Sequence, residues 1–142
     1  MKYIEAPEIH TKNQSLFIAG ISCPDWQKEY INYFRDTSLA VLNPRRTDFN
    51  IEDKSVEIEQ ITWEHEHLEK ADIISFWFGK ETICPIVLYE LGKYANSNKE
   101  IYVVDPAYER KSDVEIQMDL VRPNLQVVNS LKDLANQILK TL

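Results

Sequence analysis

The apolar positions of this chain come in short runs of strand length, each followed by a stretch whose apolar residues recur every three or four positions. Ser15–Gly20, residues 39–42, Ile73–Trp77, Glu100–Val104 and residues 125–128 read as strands. Runs that are apolar without strict alternation fit strands buried on both faces. Between them, residues 24–36 carry Trp26, Tyr30, Ile31, Tyr33 and Phe34 at helical spacing. Residues 56–70 form an amphipathic helix whose core side is expected at Ile58, Ile61 and Leu68. A third helix is expected over 82–95, with Thr82 as its cap and Pro85 in its first turn, where a missing N–H is no loss. Helices over 113–121 and 130–142 complete the pattern. Residues 1–14 read as a polar arm or an added edge strand, and 48–55 and 105–112 as polar and charged loops.

Strands alternating with helices imply a parallel sheet covered on both faces. Counting strands from Ser15, right-handed crossovers point to a doubly wound α/β fold in one domain, with a five-stranded sheet of order 2-1-3-4-5. The carboxyl ends of the strands would then line one rim, where ligands of such sheets collect. Gly20 and Ser22, then Asn43, Arg45 and Arg46, and then the loop leading into the third helix fall on that rim.

At 142 residues and 44% hydrophobic, the chain can bury a single core. A formal charge of −7 argues against a nucleic-acid polymer as partner, while leaving room for a small anionic ligand held by local arginines. No apolar run approaches the ~20 residues of a membrane span. The first fourteen residues lack the basic-then-apolar order of a secretory signal. Cys23 and Cys84 make neither a metal spacing nor a disulfide framework, so a reducing, cytoplasmic setting is expected.

The third helix raises the sharpest chemical question. Glu90 follows Ile86 and Val87 by one turn and precedes Tyr94 by one, and a carboxylate on such a wall must be paired, hydrogen-bonded or in use. A surface pair with Lys93 at i+3 is the plain alternative. Gly92 disfavours the helix by roughly 1 kcal/mol against Ala, which a close approach by a strand or ligand would explain. On the preceding helix, Gln60, Trp63, Glu64 and His67 share a stripe. Trp63 could stack on a heterocycle while Glu64 bonds a ring nitrogen, or the stripe could be solvated with Trp63 half-buried at its edge. His65 and His67 stand at i,i+2 and do not face one another, so no metal is expected, and no cofactor. Cys23 has no evident His partner and reads as packing. Glycine-rich phosphate loops and dinucleotide fingerprints are lacking.

Several of these segments together resemble the nucleoside 2-deoxyribosyltransferase family. They are Phe17-Ile18-Ala19-Gly20, Asp25-Trp26-Gln27, Asn43-Pro44-Arg45-Arg46, Trp63-Glu64, Ala71-Asp72, Cys84-Pro85-Ile86 and Tyr89-Glu90-Leu91-Gly92-Lys93-Tyr94-Ala95, spread over residues 15–117. The resemblance implies cleavage of the N-glycosidic bond of a 2′-deoxynucleoside or its monophosphate. It makes Glu90 the nucleophile that forms a deoxyribosyl ester and Glu64 the group that exchanges a proton with the base. Gly20, Ser22, Asn43, Arg45, Arg46 and Trp63 would bind substrate, and Asp72, at the far end of its strand, would be structural. The family also borrows a polar residue from a neighbouring subunit, for which Asp113 and Gln117 are the nearest candidates, so a homo-oligomer is implied. One departure stands out: where the transferases carry an Asp six residues before the nucleophile, this chain has Cys84. That leaves transfer to a second base or to water open. Glycohydrolysis of a nicotinamide dinucleotide and a non-catalytic nucleotide-binding module are the alternatives.

Overall fold

The computed structural model describes residues 1–10, 13–22, 24–46 and 52–142. Cys23 and much of the loop expected over 48–55 lie outside them. Five parallel strands form the sheet: β1 (Lys2–Glu5), β2 (Ser15–Gly20), β3 (Ala40–Asn43), β4 (Ile73–Trp77) and β5 (Glu100–Val104). Their order is β1-β3-β2-β4-β5. Strands β3, β2, β4 and β5 therefore stand in the expected arrangement, with β4 between β2 and β5 in the interior of the sheet.

One edge bears out an expectation and the other overturns one: residues 1–14 do supply an added edge strand, and the strand expected at 125–128 does not form. Residues 125–128 contribute a single bridge, Val104 to Val128, rather than a strand. The fifth strand is instead the N-terminal β1, paired with β3 from Lys2↔Ala40 to Glu5↔Asn43. Its side chains alternate toward burial only at Ile4, so its pairing rests on the backbone ladder and on Ala6 N–H donating to Asn43 O at 3.2 Å.

The helices are α1 (Gln27–Asn32), α2 (Lys54–Lys70), α3 (Pro85–Tyr94), α4 (Lys111–Val121) and α5 (Leu131–Leu139). On one face of the sheet α2, α3 and α4 bury Trp63, Leu68, Val87, Leu91, Val114 and Met118 over Phe17, Ile74, Phe76 and Val103. On the other, α1 and α5 bury Tyr30, Leu134 and Ile138 over Leu16, Ile18 and Val41. Alternate residues of each strand serve opposite faces, as the pleat requires. Among the described residues no helix is long and apolar enough to cross a membrane.

Two helices depart from their expected details. In α2 the aliphatic Ile58 and Ile61 are exposed, at 67% and 59%, while Trp63 and His67 are buried beside Leu68. The N-terminal arm reverses the expectation because it supplies backbone partners for both rings. Trp63 Nε1 donates to Glu8 O at 2.7 Å, and His67 Nε2 accepts from His10 N–H at 3.2 Å. With Nε2 accepting, the proton sits on Nδ1, 2.8 Å from Trp63 O, and the two rings stack at 4.0 Å. In α3 the cap is Cys84 rather than Thr82, in the left-handed region at φ 54°. Thr82 serves one step earlier, its hydroxyl accepting Cys84 N–H at 2.9 Å.

Asp72, at the amino end of β4, accepts from Ser15 N–H and the Ser15 hydroxyl at 2.8 and 3.1 Å. It joins the starts of β2 and β4, at the end of the sheet away from the site described next.

Candidate active site

The carboxyl ends of β2 and β3 open into a cleft between α2 and α3. Gly20 makes the turn at its floor: a Cβ there would lie 2.5 Å from Trp26 Cζ2, so only glycine lets the indole pack beneath the turn. Trp26 Nε1 and Gln27 Nε2 both donate to Ile21 O, at 2.8 and 3.0 Å, and hold that turn in place. From β3, Asn43 is buried, with Nδ2 donating to the Tyr3 hydroxyl and Oδ1 accepting from Arg45 N–H at 3.0 Å. Asn43 thus shapes the loop that carries Pro44, Arg45 and Arg46.

The cleft has two adjoining lobes that share Gly20, Ser22, Pro44 and Glu64. The larger, about 900 Å³, lies between Ile61, Glu64 and Leu68 of α2 and Ile86, Glu90 and Lys93 of α3. The smaller, about 350 Å³, is closed by Gln27, Arg45, Arg46 and Gln60. Both fall in the range of small-ligand sites.

Glu90 is half-buried on α3, whose Val87, Leu91 and Tyr94 face the sheet. Burial, then repulsion by Glu64, pushes its carboxyl from an ordinary 4.5 up to about 8, and Lys93 opposes the shift. Burial also raises Glu64, against a hydrogen bond from Gln60. Burial and the like charge across the cavity thus leave Glu90 protonated near neutrality. Gln60 aims Glu64: its amide nitrogen donates to Glu64 Oε1 at 2.7 Å and to Pro44 O at 2.6 Å, tying α2 to the β3 loop. Further from the rim, Lys93 pairs with Glu69 at 3.3 Å, and Tyr94 OH donates to Glu69 at 2.6 Å, which fixes α3 against α2.

Both arginines are engaged. Arg45 Nε donates to Ser22 O at 2.9 Å, and its Nη1 lies 3.5 Å from Asp25. Arg46 Nη1 meets Glu59 at 2.6 Å with its side chain only 6% exposed.

Of the residues singled out in the sequence, Glu64, Glu90, Gly20, Ser22, Arg45 and Arg46 meet at this cleft. Asn43 stands behind it as a support. Trp63 does not line it; the ring is 5% exposed and packs in the core against Phe17 and His67, which removes it as a stacking platform. Asp113 sits on α4, ion-paired with Arg110 at 2.6 Å, away from both lobes of its own chain. Among the described residues nothing lies within 4 Å of a Cβ added at Gly92, so no close approach by them explains it. Gln27 and Gln60 line the smaller lobe and were given no separate role in the sequence, although Gln60 stands one turn before Glu64 and Gln27 follows Trp26. The mouth carries exposed apolar residues, with Ile61, Ile86 and Tyr89 all more than half exposed.

A search of curated proteins returns no match. The model of one protein family, described as nucleoside 2-deoxyribosyltransferase like, matches residues 13–108, which spans β2 through β5 and includes Glu64 and Glu90. The chain belongs to the nucleoside 2-deoxyribosyltransferase-like family.

Proposed function

We propose that the chain cleaves the N-glycosidic bond of a 2′-deoxynucleoside or its monophosphate through a covalent intermediate on Glu90. The observation that carries this reading is the pair of half-buried carboxyl groups, Glu64 and Glu90, facing one cavity and each held above the ordinary carboxylate range. Two acids in unlike environments are what glycosyl transfer with retention uses. Attack needs the charge on Glu90 and a proton on Glu64, so the proton that Glu90 retains in the free protein must pass to Glu64 as the substrate binds. A Glu90 oxygen bonds to C1′ as the C1′–N bond breaks, and the departing base takes the proton from Glu64. A second base or water then attacks C1′, gives its proton to Glu64 and frees Glu90.

Cys84 stands where transferases of the family carry an Asp, and its side chain is buried. The sugar acceptor is therefore to be read from an assay. The protein is incubated with each of the four deoxynucleosides, their monophosphates and NAD, with and without a second free base. Base exchange identifies a transferase and release of base alone a hydrolase. Saturable binding without turnover of any of them contradicts an enzyme. A homo-oligomer is part of the proposal, supported by the exposed Ile61, Ile86 and Tyr89 around the mouth.

A further inference from the structure

We propose that Gln60 is a positioning residue for proton transfer to the leaving base, holding Glu64 so that its proton travels on Oε2 alone. This rests on the N-glycosidic reading above. Gln60 stands one turn before Glu64 on α2, and its amide nitrogen bridges two acceptors, Glu64 Oε1 at 2.7 Å and Pro44 O at 2.6 Å. Pro44 O is a carbonyl and can only accept, so the amide cannot be turned round. The second N–H is thereby committed to Oε1. A proton on Oε1 would set O–H against N–H, so Oε1 stays the acceptor whether Glu64 is charged or neutral. Among the described residues Oε2 has no hydrogen-bond partner, and Glu64 is half-buried and lines both lobes of the cleft. Oε2 is the oxygen left for the substrate.

The same bridge suits the path of the proton. In the free protein burial disfavours a charged Glu64 and the Gln60 N–H favours it, while Glu90 retains its proton. The proton that leaves Glu90 as substrate binds can then settle only on Oε2. From there it passes to the base nitrogen as the C1′–N bond breaks and a Glu90 oxygen bonds to C1′. The tie to Pro44 adds a second constraint. That carbonyl belongs to the loop after β3 that carries Arg45 and Arg46, so the acid on α2 keeps a fixed spacing from the wall of the smaller lobe. A carboxyl group free to rotate would present either oxygen and lose the alignment that proton transfer needs.

The test is base release by the intact protein from deoxynucleosides with poor and with good leaving bases. It compares the parent, Gln60→Met, Glu64→Gln and the double variant, each checked for folding by circular dichroism. Gln60→Met should lower kcat about 10–100-fold for poor leaving bases and little for bases that leave easily. Added to Glu64→Gln it should cost nothing further, because it acts only through Glu64. An equal loss for every base, or a full additional loss in the double variant, would overturn the proposal. Gln60→Leu, which also lacks the donor, decides should Gln60→Met not fold, and collapse of both would make Gln60 a brace of the fold and overturn it too. Turnover is not the only readout. The Glu64 side-chain carboxyl carbon, followed by NMR, should titrate at higher pH once the Gln60 donor is lost. Glu57, His65, Glu90, Lys93, Arg45 and Arg46 line the same cavities in both proteins and cancel in the comparison. A moved titration in a protein that cleaves no nucleoside upholds the link from Gln60 to Glu64 and refutes the catalytic reading. Cleavage with an unmoved titration refutes the Gln60 assignment alone.

Discussion

Replacing Glu90 with glutamine should stabilise the protein at alkaline pH while abolishing turnover. The carboxyl group is held at about 8 in the folded chain against 4.5 for an ordinary Glu. Below the lower value both folded and unfolded states keep the proton, and the residue has no linked effect. Between the two values the unfolded chain releases its proton and the folded chain retains it, so stability falls as pH rises. Above about 8 the folded protein carries the full cost of a charged Glu90 beside Glu64. At ~1.4 kcal/mol per pH unit the ceiling is ~5 kcal/mol, and residual solvent contact brings the expected effect to about 2–4 kcal/mol. Urea unfolding of the two proteins from pH 5 to 9 measures it. The gap between Glu90→Gln and the parent should widen across that range and level off past 8. A constant gap, or a parent that gains stability relative to the variant as pH rises, would show that Glu90 is an ordinary solvated carboxylate. The reasoning from burial would then fail.

Other perturbations separate the roles of neighbouring residues. Glu64→Gln should lose about 10²–10⁴-fold in kcat for poor leaving bases and much less for bases that leave easily; a uniform loss across leaving groups would remove Glu64 from proton transfer. Trp63→Leu should lower stability in a thermal melt yet leave nucleoside affinity unchanged, because the indole packs against Phe17 and His67. A binding loss of about 1–3 kcal/mol, the size of a base–aromatic stack, would contradict the core placement. Gly92→Ala should stabilise α3 by about 0.5–1 kcal/mol, since an added Cβ meets none of the described residues within 4 Å. Destabilisation in the denaturant curve would mean that another chain packs there.

The central sheet was legible because β2, β3, β4 and β5 are apolar runs that need both faces covered, and their alternation with helices leaves few topologies. Its edges were so only in part. Lys2–Glu5 carries one buried side chain and pairs through its backbone. Residues 125–128 have the apolar pattern of a strand, yet one bridge at Val128 is all they contribute. The face of α2 was misread for a related reason. Ile58 and Ile61 are the more apolar residues, but the N-terminal arm brings Glu8 O and the His10 N–H to Trp63 and His67, which lets the rings be buried. Long-range backbone partners of this kind leave no local trace in the pattern. Glu90 was visible from its apolar neighbours, and Glu64 from its stripe and the family resemblance. Gln60 stood in the Glu64 stripe and Gln27 in the Asp25-Trp26-Gln27 segment, but their roles as braces depend on Pro44 O, Glu64 and Ile21 O, which only the fold brings within reach.

The most direct test of Glu90 as nucleophile is intact and peptide mass spectrometry of protein quenched with acid during turnover of a deoxynucleoside. A deoxyribosyl adduct should be found on the peptide containing Glu90 and be absent from Glu90→Gln, which should still fold and bind. An adduct on another residue, or undiminished cleavage by Glu90→Gln, would contradict the covalent mechanism.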